Sequence, residues 1–133
     1  MRLTALSLIA FSFAAAAQQP APIVFFDIAS ADSASLREFY SRVFGWPIAP
    51  NGNFSVPVAS PLPGTIRQDP ADKRIYIGVA DVDATLAEIA ANGGTIEAGR
   101  FEVPGVVVLG LFKDPAGNSM GLVEIEDGKA KVP

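Results

Sequence analysis

The sequence of 133 residues contains no cysteine and no histidine. Without cysteine there are no disulfides and no thiolates, so any core must hold by packing alone. Without histidine the chain lacks the commonest general base and the commonest ligand for a transition metal. Ser-His and Cys-His nucleophile pairs are therefore excluded. Positive charge is scarce: ten Lys and Arg face fourteen Asp and Glu, a formal net charge of −4. Such a balance leaves no basic footprint for nucleic acid or an anionic membrane. No glycine-rich phosphate cradle of the strand–GxxxxGK–helix kind is present either. What is present suits a packed domain: half the residues are apolar and 18% are charged, and the length allows one core but not two.

Met1-Arg2 is a short positive start, Leu3 to Ala14 an apolar run, and Ala15-Ala16-Ala17 a small-residue cleavage pattern. Residues 1–17 thus predict a signal peptide cleaved after Ala17 and a periplasmic or secreted protein. The apolar run is well short of the roughly 20 residues a spanning helix needs, so no membrane association is expected after cleavage. Residues 23–126 are expected to form one domain, and 127–133 a solvated C-terminal tail.

Within the domain, 23-IVFFDIA-29 has the β-branched and aromatic content of a strand. In the following segment Leu36, Phe39, Tyr40, Val43 and Phe44 share one helical face. Asp32 is placed to cap that helix and Gly45 to end it. Short strands are expected at 53–59 and 65–68, with Pro57 assigning the first to an edge or a bulge. A strand at 74–80 then precedes Asp81, a second cap, and a helix over 82–93 with Val82, Leu86, Ile89 and Ala90 on one face. Strands at 94–99, 106–113 and 118–125 complete the chain, the last two joined by the turn 114-DPAGN-118. The order strand–helix–strands therefore occurs twice, about 50 residues apart, which suggests a duplicated unit.

The strand 23-IVFFDIA, the capped helix ending 39-FY…FGW-46, the stretch 79-VADVDATL…NGG-94 and 114-DPAGN-118 together resemble the vicinal oxygen chelate superfamily. That superfamily includes glyoxalase I, bleomycin-resistance proteins, fosfomycin-resistance enzymes and extradiol dioxygenases. The resemblance implies an α+β fold of paired βαβββ modules, with a curled mixed sheet around a cleft and frequent pairing between subunits. It also implies a divalent ion held by His or Glu on the cleft side. Matched position by position, the first-strand ligand falls on Phe25, that of the second module's first strand on Arg74, and the last-strand Glu on Gly121. None of the three can donate to a cation: Phe has no lone pair, Arg carries its own charge, and Gly has no side chain. The register of the irregular 53–68 segment does not fix a fourth position, and no His is available there.

Strand alternation sets Asp27 on the face of Phe25, and Tyr76 on that of Arg74. Asp27 is thus the one nearby carboxylate, and Glu124 lies on the face opposite Gly121. Phe25, Asp27, Arg74, Tyr76 and Gly121 are the candidate ligand-binding residues. In that set Arg74 is free either to pair with Asp27 or to hold an acidic ligand. The expectation is an exported homodimer without metal or other cofactor, binding a small organic molecule in its cleft. One alternative is a metal-dependent lyase or dioxygenase-like enzyme with an oxygen-only site. Another is an interaction module whose cleft its own side chains plug.

Overall fold

The computed structural model describes residues 25–133, so the signal-peptide segment and the start of the first expected strand lie outside the described residues. Helix α1 spans Ser33–Phe44 and helix α2 Val82–Ala91. Strands β1 (Ile75–Val79), β2 (Thr95–Val103), β3 (Val107–Lys113), β4 (Ser119–Glu126) and β5 (Lys129–Ala130) complete the order α1-β1-α2-β2-β3-β4-β5. Both expected caps are in place. The Asp32 carboxylate accepts from the Ser35 N–H and that of Asp81 from the Ala84 N–H, while Gly45 closes α1 in the left-handed conformation.

The strands lie in the order β1-β4-β3-β2. Strand β1 runs parallel to β4, as the α2 crossover between β1 and β2 requires, and the remaining pairs are antiparallel. Both helices cover one face of this sheet. Leu36, Phe39 and Tyr40 from α1 and Val82, Leu86 and Ile89 from α2 meet Phe112, Met120 and Leu122 in one buried cluster. Ala90, expected on that face, is exposed. A Cβ at Gly110 would lie 2.7 Å from the Val82 side chain, so a bare backbone lets α2 sit close on β3.

Strand β2 slips register twice against β3, between Ile96 and Ala98 and again between Ala98 and Phe101. Bulges of this kind bend a strand and re-aim its side chains. They help curl the sheet, and the second carries Arg100 to the helix side. There Arg100 grips Glu124 with two hydrogen bonds, of 3.0 and 2.9 Å. The buried Glu124 carboxylate also accepts from the Val82 N–H at the start of α2 (3.2 Å) and from the Lys131 ammonium (3.4 Å). One carboxylate thereby ties β2, β4, α2 and the C-terminal segment. The tail is therefore not a free end: Asp127-Gly128, both at positive φ, turn the chain back as β5 against β4.

The first half of the chain contributes less sheet than expected. Residues 25–30 alternate between exposed and half-buried, the period of a strand, yet are in no ladder among the described residues. The same alternation runs through 51–57, where Pro57 lacks a donor, and residues 65–68 are fully exposed. The half is anchored through side chains instead. Trp46 stacks on Tyr40 and on Phe54, with centroids 5.0 and 5.2 Å away. Phe26 meets Trp46 and Phe54 edge-on. The turn after β3 adds a polar tie. Buried Asp114 accepts from the Ala116 and Asn118 N–H groups and from the Tyr40 hydroxyl, while the Asn118 amide donates to Asp114 and to the Ala29 carbonyl. Burial and the neighbouring carboxylate push the Tyr40 hydroxyl pKa far up, so it stays a donor.

The Arg100 hydrogen bonds, with help from the Val82 N–H, hold the Glu124 pKa at about 2, well below its ordinary 4.5. A folded pKa below the unfolded one means stability that is present above about pH 4.5 and lost as the pH falls toward 2. Glu124→Gln should therefore cost about 2 kcal/mol at neutral pH, the scale of charge-assisted bonds to a buried group. The gap from wild type should close as acid is added. Urea unfolding at pH 7, 4 and 3 measures this, and a gap independent of pH would contradict it.

Candidate functional site

Opposite the helices, the sheet presents its concave face. Register sets two rows of side chains across it: Tyr76, Gly121, Leu111 and Ala98, then Gly78, Val123, Leu109 and Phe101. These rows form a largely apolar floor, on which Tyr76 and Phe101 remain substantially exposed. At one end the floor turns polar, where Lys113 lies opposite both Ser119 and Thr95.

Tyr76 and Gly121 are direct cross-strand partners, and their contact decides what this face can hold. A Cβ on Gly121 would clash with Cδ1 and Cε1 of the Tyr76 ring. The ring therefore rests on bare backbone. This is the position to which the family resemblance assigns the last-strand carboxylate, and an aromatic ring fills the space a side chain there would use. Arg74 stands two residues before Tyr76, at the mouth of the same face. Its guanidinium reaches Glu97 of β2 (3.4 Å) and Asp72 (3.8 Å), and Glu97 also meets Lys113 (3.9 Å). The Arg74 side chain is only 13% exposed. Its buried Nε–H has no acceptor, and an orphaned buried donor calls for an explanation.

Of the five candidate residues, the structure gathers Arg74, Tyr76 and Gly121 at one strand end. Phe25 and Asp27 do share a side, as alternation required, but it is the exposed one. Phe26 and Ile28 turn inward, toward the Trp46 cluster and the core. The pairing considered for Arg74 and Asp27 does not form, since the acidic partners of Arg74 are Asp72 and Glu97. Glu97 had no signal in the sequence, because it sits at the first bulge of β2 and a bulge shows only once the strand has a partner. Glu124 is indeed on the far face, engaged by Arg100.

The superfamily's divalent ion can be tested against these positions. Phe25 points to solvent, Arg74 is a cation, and Gly121 lies beneath a phenol ring. Among the described residues no three acidic side chains converge in a group able to hold a metal ion. The positions do not fit the ion, and no chemistry routed through one follows from them.

An α+β unit with a curled, unclosed mixed sheet and one open concave face is the glyoxalase/bleomycin-resistance fold. The chain belongs to the glyoxalase-like domain family, whose model matches residues 23–123. It is 26% identical over 111 residues to the provisionally named glyoxylase CFP32 of Mycobacterium bovis and Mycobacterium tuberculosis. That match covers 72% of this chain and 42% of the relative, so the chain spans about two fifths of the length of the curated relatives it matches. Among solved structures, hypothetical protein SA1046 from S. aureus aligns with a TM-score of 0.59 at 17% identity, over 81% of this chain and 97% of that one. A glyoxalase/bleomycin resistance protein/dioxygenase family enzyme from Burkholderia phytofirmans PsJN aligns with a TM-score of 0.54 at 15% identity, over 73% and 93%. At these identities the two structures establish the fold alone.

The contact between ring and glycine is testable by itself. Gly121→Ala should swing the Tyr76 ring off β4 and cost about 1 kcal/mol, the scale of a small overpacking strain. In a Tyr76→Ala background the same change should cost almost nothing. Denaturation of the four proteins completes the cycle, and equal costs in both backgrounds would show that the ring does not rest on Gly121.

Proposed function

We propose that this is a binding member of the glyoxalase-like family, without a resident metal, which holds a small organic molecule bearing an acceptor group on its concave face. The observation that carries the reading is the juxtaposition of an aromatic floor with an arginine donor. Tyr76 lies over Gly121 where a carboxylate ligand would have to stand, and the buried Nε–H of Arg74, two residues earlier in the chain, lacks an acceptor. A flat apolar portion of a ligand gains from covering the exposed ring and the Leu111 and Val123 side chains. A carboxylate or carbonyl oxygen on it would satisfy Arg74. Glu97 and Asp72 already balance the guanidinium charge, which favours a single acceptor group over a strongly anionic one.

A thermal-shift screen of small carboxylic and carbonyl compounds tests this reading. One or more of the compounds that raise the melting temperature of the wild type should bind Arg74→Gln about tenfold more weakly, the cost of a charge-assisted hydrogen bond. Tyr76→Ala should weaken them as well. A screen in which every hit is indifferent to both substitutions would remove the concave face from consideration.

The exposed apolar row and the unpaired outer edges of β1 and β2 among the described residues favour a second copy of the chain as the cover of this face, making a homodimer. Export rests on the composition of residues 1–17. Mass spectrometry and light scattering of the protein collected from outside the cytoplasm should give a chain beginning at Gln18 and twice that mass in solution. A chain retaining residues 1–17, or a monomer at micromolar concentration, would oppose the respective proposal.

A further inference from the structure

We propose that the recess between α1 and the 46–54 loop is a second binding site, distinct from the concave face, for a carboxylate carried on a single aromatic ring. The recess holds about 150 Å³, comparable to an apolar cavity that admits benzene. Its inner wall is Leu36, Tyr40, Trp46 and Phe54, and Ser33, Arg37 and Asn51 stand at its polar rim. One ring matches this volume.

A separate observation supplies the charge. Arg42, Arg67, Arg74 and Arg100 each have a carboxylate within ion-pairing distance. Among the described residues Arg37 alone of the arginines has none, and its one side-chain hydrogen bond runs from Nη1 to the Ser33 hydroxyl (3.1 Å). The half-buried guanidinium therefore keeps most of its five donors free beside an aromatic recess. Asn51 accepts from the Asn53 N–H through its side-chain oxygen, which leaves its NH2 group as a further donor at the rim. On the outer side of Arg37 the surface opens into a shallow groove of about 450 Å³, also bordered by Arg37 and Ile48, so a ligand can enter from solvent. A ring seated against Trp46 and Phe54 would place its carboxylate at this fork, where bidentate pairing is the preferred geometry.

Trp46 is the one tryptophan of the chain, so its fluorescence reports on the recess directly. Titration of the purified protein with benzoate should give a saturable change in Trp46 emission. Benzamide, with the same ring and no charge, should bind about tenfold more weakly. Naphthoate should give no saturable change. Arg37→Gln, with wild-type unfolding behaviour, should bring benzoate down to the level of benzamide and leave benzamide unchanged, whereas Arg74→Gln should alter neither. The proposal is overturned if benzoate gives no saturable signal, if benzoate and benzamide bind alike, if naphthoate saturates like benzoate, or if the preference survives in Arg37→Gln. It is equally overturned if Arg74→Gln abolishes the signal, since the ligand would then sit on the concave face.

Discussion

The phenol ring of Tyr76 rests on the bare backbone of Gly121, and the chemistry open to the concave face follows from that contact. In a parallel pair of strands, partners on one face compete for the same volume. Glycine on β4 gives that volume to the aromatic residue of β1. A carboxylate at the same position would have to displace the ring, and the neighbouring Arg74 would then meet the carboxylate as a counter-ion before any metal could. The function proposed above has this surface recognise a molecule through one flat contact and one hydrogen-bond donor. Function resides in such particulars, since the fold itself supports many activities.

The scaffold beneath this surface is held by two buried carboxylates working at opposite ends of the sheet. Glu124 joins β2, β4, α2 and the C-terminal segment through Arg100, the Val82 N–H and Lys131. Asp114 joins the β3–β4 turn to α1 through Tyr40, and Asn118 extends that tie to Ala29. Both acids occur in a chain without disulfides, where buried charge is tolerated only when fully paired. Their acceptor oxygens are spent on structure, so neither acid serves the open face.

Much of the second half was legible in the sequence. The caps at Asp32 and Asp81 and the helical spacing of Leu36, Phe39 and Tyr40 are local signals, and local signals survive folding. The strand positions of the second half held to within a few residues because the turns at 93–94 and 114–118 bracket them. The alternation at Phe25–Asp27 was also readable. Its phase was not, because the Trp46–Phe54 cluster that draws Phe26 inward is a tertiary fact. The bulges of β2 were invisible for the same kind of reason: they exist only relative to β3, and they aim Arg100 at Glu124. The composition of 127–133 suggested a solvated tail, whereas the segment folds back as β5 against β4 and Lys131 reaches Glu124, contacts that only the tertiary structure supplies. Strand propensity at 53–59 and 65–68 did not become sheet among the described residues, as prolines in the segment outweighed it.

With Tyr76 over Gly121, Phe25 exposed and Arg74 itself a cation, the family's ligand positions do not fit a divalent cation. Elemental analysis of protein purified without chelator, paired with melting curves before and after chelator treatment, tests it most directly. Far less than one transition-metal, magnesium or calcium ion per chain and an unchanged melting temperature are expected. Close to one ion per chain, removed by chelator with a fall in stability, would contradict it.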